Sequence, residues 1–112
     1  MEIMAMQLTP LELFALDKLL DGQESIVLAL QCAQAKVLER VETRDGFYSV
    51  IELEQPPSDL GRLAEREWRF RIRNKSVGGY FVCWPDGESS LCLEAVLGRE
   101  MPVAMLVPEL LV

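Results

Sequence analysis

The chain contains no histidine, and its three cysteines, Cys32, Cys83 and Cys92, are dispersed without CxxC spacing. The commonest general base and metal ligand is therefore missing, and with it any Ser-His or Cys-His nucleophile pair. Three scattered thiols complete a four-ligand zinc site only with a carboxylate added. Acid–base chemistry would fall to carboxylates held in a pocket, and no pair in the sequence marks one. Gly78-Gly79 lacks the GxxxxGK pattern and the strand-to-helix setting of a phosphate loop. It reads as a bulge or a tight strand entry. These residues point away from an enzyme, and neither cofactor nor metal is expected.

The residues that remain could form an interaction surface or a pocket. Glu94 stands among Leu91, Cys92, Leu93, Ala95, Val96 and Leu97. A carboxylate buried there is costly unless paired, and the expectation is a structural ion pair with an arginine. Arg69, Arg71 and Arg73 alternate with Trp68, Phe70 and Ile72, so the guanidinium groups share one strand face. Cross-strand pairing with Glu39, Glu42, Glu52 or Glu54 is the expected use of that face. An anion or an acidic partner is the other. Trp68, Tyr48, Tyr80 and Trp84 are expected mainly in the core, with one or two free to line a pocket.

Charge narrows the partners. The chain carries 11 basic and 18 acidic residues, a net charge of −7. Six of the basic residues lie between Arg62 and Lys75, which leaves five basic and 16 acidic residues elsewhere. An acidic body repels phosphate, so nucleic acid is disfavoured and a basic protein partner is favoured. No apolar run reaches the roughly 18 residues that a membrane-spanning helix requires. The first ten residues, MEIMAMQLTP, lack a basic n-region, which argues against a secretory signal. With unpaired thiols, this predicts a cytoplasmic protein. At 112 residues the chain is read as one domain, residues 1–112.

Several elements must position these side chains. Thr9-Pro10-Leu11-Glu12 predicts a helix start, with Thr9 as cap, Pro10 at the first helical position and Glu12 completing a capping box. Leu11, Leu13, Phe14, Leu16 and Leu20 are its expected apolar stripe, and Gly22 can end it in the left-handed conformation. A second helix is predicted from about Glu24 to about Lys36, with Ile26, Val27, Leu30, Ala33 and Val37 at helical spacing. The two would form a helical hairpin.

Strands are predicted at Val37–Thr43 and Phe47–Leu53 around an Asp45-Gly46 turn, and again at 67–73. Val77 to Gly98 is the plainest hairpin, with Asp86-Gly87 as a two-residue turn. That register places Cys83 opposite Ser90 and Cys92 opposite Phe81, so both sulfurs point to one face as diagonal neighbours. Buried reduced thiols are the expected state there, with a redox pair as the alternative. The apolar segment Met101–Val112 is expected to add a strand, to pack on the helices or to form a dimer seam. The fold class is α+β: an N-terminal helical hairpin packed on a largely antiparallel sheet of about five strands.

Two segments, Asp45-Gly46-Phe47-Tyr48-Ser49 and Pro85-Asp86-Gly87 with Leu93-Glu94, Gly98 and Pro102 beyond it, carry a family likeness. In them the chain resembles a family of small uncharacterised bacterial proteins with a GFY or GFF strand and a late DG-turn/Leu-Glu hairpin. The resemblance covers roughly residues 8–102. It departs where the family pattern has Gly-Tyr after Leu-Glu and this chain has Ala95-Val96. It implies an α+β fold and brings no activity.

Two functions follow as expectations. The first is a non-catalytic protein–protein interaction module, in one version an immunity- or antitoxin-like inhibitor of a basic partner, or a homodimer. The second is a small-ligand-binding protein or weak enzyme, with a pocket between helices and sheet lined by Trp68, Tyr48 and Tyr80 and an arginine–glutamate pair.

Overall fold

The computed structural model describes residues 7–32, 35–98 and 105–112. Helix α1 spans Pro10–Leu19 and begins as its sequence requires. The Glu12 N–H donates to Thr9 Oγ1 at 3.1 Å, and the Thr9 N–H donates to Glu12 Oε1 at 2.8 Å. The buried stripe is Glu12, Ala15, Leu16 and Leu19, continued by Leu20. Leu13 faces solvent, because the i, i+4 pairs Ala15–Leu19 and Leu16–Leu20 define the inner face and Leu13 lies off it. Gly22, at φ +84°, turns the chain after the helix. Arg66 closes α1 from across the fold: its Nε donates to the Leu19 carbonyl and its Nη2 to the Asp21 carbonyl at 3.0 Å. A cation at a helix C-terminus meets the free carbonyls and the negative end of the dipole.

Helix α2, Glu24–Cys32, ends earlier than its apolar spacing predicts. By Lys36 the chain has joined the sheet, where Lys36 lies opposite Glu52. Ala33, one of the predicted stripe residues, falls outside the described residues. Ile26 is buried and Val27, Ala29 and Leu30 pack against the core, whereas Leu28 is exposed.

Five strands follow: β1 Lys36–Thr43, β2 Gly46–Glu52, β3 Arg66–Arg71, β4 Gly78–Pro85 and β5 Ser90–Leu97. They form one antiparallel sheet in the order β1-β2-β5-β4-β3, with both helices packed against it. The fold is therefore α+β, as the order of sequence periodicities predicts. A 3-10 turn at Leu60–Arg62 lies on the long connection from β2 to β3 and buries Leu60. The β1–β2 turn differs by one residue from the predicted Asp-Gly centre. Thr43 lies opposite Gly46, so Arg44 and Asp45 are the central pair.

The β4–β5 hairpin corrects a larger expectation. Pro85 lies opposite Leu91, and the Asp86 N–H donates to the Ser90 carbonyl at 2.8 Å. The connection is thus Gly87-Glu88-Ser89, with Gly87 at φ +84° supplying the left-handed residue. The Ser89 carbonyl also accepts from the Leu53 N–H at 2.8 Å, which ties the longer loop to the end of β2. An odd shift in register moves side chains to the opposite face of the sheet. Cys83 therefore lies opposite Leu93 on the helix side, and Cys92 lies opposite Trp84 on the other. The two thiols are free and buried on opposite faces, so the diagonal pair predicted from the sequence does not exist.

The helix-side face packs Ile51, Phe70, Phe81, Cys83, Leu91, Leu93 and Ala95 against Leu16, Leu19, Leu20 and Ile26. The chain end joins this arrangement. Leu106 and Leu111 are in the core, and Leu111 bridges to Ile72 outside β3. The Arg71 and Val112 backbones exchange two 3.0 Å hydrogen bonds, and the Arg73 N–H donates to the Leu110 carbonyl at 2.7 Å. Residues 105–112 thus cover the β3 edge within the chain. Residues 101–104 of that apolar segment lie outside the described residues.

Candidate functional site

Alternation along each strand divides the candidate residues between the two faces of the sheet. Trp68 lies on the helix side. Its ring meets Phe14 edge-on at 5.7 Å and stacks at 6.2 Å on Phe81. Tyr48, Tyr80 and Glu94 lie on the opposite face. Glu94 is flanked in register by Tyr48 on β2 and Val82 on β4, and Tyr80 lies opposite Arg69 and Val96. No single pocket between helices and sheet can be lined by Trp68, Tyr48 and Tyr80 together, because the sheet separates them. A groove of about 380 Å³ on the helix side is lined by Thr9, Leu11, Arg40, Glu42, Thr43, Gly46 and Phe47, and by none of the predicted site residues.

The opposite face is the distinctive surface. It carries Val41 from β1, Tyr48 and Val50 from β2, Cys92, Glu94 and Val96 from β5, and Tyr80, Val82 and Trp84 from β4. Val82 and Cys92 retain only 8% and 9% exposure, screened by their larger neighbours. The other seven residues are half-buried. None of the nine packs into the core cluster. A strand with one wet face alternates apolar and polar residues, whereas β4 is apolar on both faces from Tyr80 to Trp84 and β5 carries only Ser90 and Glu94 as polar residues on its open face, closer to the pattern of strands covered on both sides. Here the helices cover one side.

Charge on this face is unevenly placed. Glu39 and Glu52 lie at one corner, beside Lys36. Arg69 and Arg71 lie at the far margin, beside Glu67. Burial pushes the Cys92 thiol pKa up, and the Asp86 and Glu39 carboxylates push it further. Glu94 makes no ion pair among the described residues, contrary to the arginine pair predicted for it. Its half-buried position, with solvent access, removes the need for one.

The arginines are also placed differently from expectation. In the sheet order β3 neighbours only β4, and β5 and β4 separate it from β1 and β2, so Arg69, Arg71 and Arg73 cannot pair across strands with Glu39, Glu42, Glu52 or Glu54. Arg69 meets its strand neighbour Glu67 at 3.2 Å, both exposed, and lies 5.9 Å from the Tyr80 ring. Arg69, Arg71 and Tyr80 line a shallow groove of about 500 Å³ with Val112. Arg73 lies beyond β3, exposed.

The strongest polar cluster is one that local sequence patterns did not mark. The Glu12 carboxylate is fully buried. It accepts from Arg40 Nη2 at 2.6 Å, Arg40 Nε at 3.1 Å, Ser49 Oγ at 2.5 Å and the Thr9 N–H at 2.8 Å. Burial works to raise its pKa, but the hydrogen bonds from Arg40, Ser49 and Thr9 outweigh burial and hold it below the ordinary 4.5. The same pairing raises the Arg40 pKa. Every oxygen of this buried acid is bonded, which makes it a staple between α1, β1 and β2. Its sequence signal was limited to the capping box, since Arg40 and Ser49 are 28 and 37 residues away.

Among the described residues no three His, Cys, Asp or Glu side chains converge as a metal site requires. No described helix is long and apolar enough to cross a membrane. No family model matches the chain, and no curated protein or solved structure shows a significant match.

Proposed function

We propose that this chain is a non-catalytic protein–protein interaction module that docks a partner on the helix-free face of its sheet. The observation that carries this reading is the face centred on Tyr48, Val82, Trp84, Cys92 and Val96, apolar where a solvated antiparallel sheet face alternates with polar residues. Aromatic anchors at the centre of a patch with charge at its rim are the usual anatomy of a binding surface. Glu39, Glu52, Asp86 and Glu94 call for cationic groups on the partner, so an inhibitor that masks a basic protein is the concrete form of the module.

The experiment uses the full chain and a Val82→Lys variant as baits at low and moderate salt. Val82 is central on the face and packs outside the helix-side cluster, but it keeps only 8% exposure, so circular dichroism of the variant first verifies that the fold survives the new cation. Retention of a protein by the wild type, lost with Val82→Lys, supports the reading. Retention by both baits alike, or by neither, counts against it.

A further inference from the structure

We infer that the occupant of the open sheet face is a second copy of this chain, packed face to face about a two-fold axis through Glu94. The inference rests on the interaction reading above and supplies its partner. The cations that the acidic corner calls for are present on the chain itself, at the diagonally opposite corner of the same face.

The register fixes those corners. On the open face Glu52 lies in the row of Ser90, Glu39 in the row of Val50, Cys92 and Trp84, and Glu94 in the row of Val41, Tyr48 and Val82. Arg69 lies in the row of Tyr80 and Val96, and Arg71 one row further, opposite Gly78. The acidic pair is therefore on the β1–β2 side at one end, and the basic pair is on β3 at the other end. With Glu94 near the middle, a two-fold axis along the remaining diagonal superposes each acidic corner on its partner's basic corner. The strands of the two sheets then cross at roughly 90°, one of the two common sheet-on-sheet geometries. An axis along the diagonal that joins the acidic and basic corners would instead set Glu39 and Glu52 against their own copies. Like charges exclude that arrangement.

The area suffices. Five strands about 4.8 Å apart and eight residues long at about 3.4 Å each make a face of roughly 24 by 27 Å. Two such faces bury about 1,300 Å², within the range of roughly 1,200–2,000 Å² of specific interfaces. The apolar centre, with Tyr48, Val82, Val96 and Trp84, would be covered in the dimer as Phe81 and Leu93 are covered by the helices.

One consequence separates a second copy from any basic partner. On the axis Glu94 faces its own copy, so its charge opposes dimerisation, whereas against a basic partner the same charge would help. Sedimentation velocity across the micromolar range tests this on the full chain. The wild type is expected to dimerise. Glu94→Gln is expected to tighten the dimer several-fold. Charge reversal at either corner, R69E/R71E or E39R/E52R, is expected to weaken it by about tenfold or more. An equimolar mixture of the two reversed variants is expected to dimerise again, since both corner contacts are then complementary. Glu39, Arg69 and Arg71 are exposed and Glu52 is half-buried, and circular dichroism of each variant verifies the fold. A wild type that stays monomeric overturns the inference, as does a dimer that neither reversal weakens or that Glu94→Gln loosens. A monomer that still loses a retained protein on Val82→Lys would sink the second-copy inference alone and leave the interaction reading standing.

Discussion

Arg40→Leu should destabilise the protein in a strongly pH-dependent way. Glu12 has no exposed surface, and Arg40 supplies two of its four hydrogen bonds. Removing the guanidinium leaves a buried carboxylate with only the Ser49 hydroxyl and the Thr9 N–H. Breaking a buried pair on one side costs about 3–5 kcal/mol. Arg40 keeps 27% of its side chain exposed, so the lower end, about 3 kcal/mol at neutral pH, is the expected loss. That is a large share of the roughly 5–15 kcal/mol that holds a domain folded.

The sign of the pH dependence follows from the direction of the Glu12 pKa. In the wild type it is lowered from 4.5. Its contribution is therefore present above the unfolded value and lost as pH falls through the folded one. In Arg40→Leu the burial remains and the strongest bonds to the charged form are gone, so the folded pKa moves above the unfolded value. The acid then folds most readily when protonated, and stability falls as pH rises through that raised value. The gap between wild type and variant should be widest near neutrality and narrow toward about pH 3. Urea unfolding followed by tryptophan fluorescence at both pH values measures it. The double variant E12L/R40L should recover part of the loss, because no lone charge is left buried. A loss under about 1 kcal/mol, or one equal at both pH values, would refute the assignment of Glu12 and Arg40 as a buried charged pair.

Two further outcomes are expected. In a Cys32→Ser background at concentrations too low to dimerise, Cys92, which keeps 9% exposure, should react with a thiol reagent before the fully buried Cys83, whose pKa burial raises to about 11; equal native rates, or a Cys83–Cys92 disulfide under mild oxidation, would contradict their placement on opposite faces. Gly87→Ala should cost about 1–2 kcal/mol in urea unfolding, because nothing lies within 4 Å of the added Cβ and only the left-handed backbone is penalised, whereas Gly22→Ala, at the same φ of +84°, serves as the matched control.

How much was legible in the sequence depended on range. The capping box at Thr9 and Glu12 was readable because its partners are three residues apart, and each satisfies a backbone or side-chain group of the same turn. The strand pattern at Trp68 and Phe70 was readable because alternation is a property of one strand. The β4–β5 register was misjudged for a local reason with a distant cause. The Ser89 carbonyl accepts from the N–H of Leu53, just past β2, so the longer loop has a partner outside the hairpin. That shift moved Cys92 to the other face, a difference that no inspection of residues 83–92 alone reveals.

The chain by itself determined that helices precede an antiparallel sheet, that histidine-based chemistry is absent and that acid predominates, because periodicity and composition are summed over neighbours. Strand order was left to the tertiary structure. It separated Arg69 and Arg71 from the glutamates they were expected to meet, joined Glu12 to Arg40, and left Glu94 without an ion pair among the described residues, at the centre of the face opposite the helices. The reason is physical. A side chain's face follows from its own strand's alternation, but its partners follow from which strand edges and which layers meet, and those are decided by burial across the whole fold.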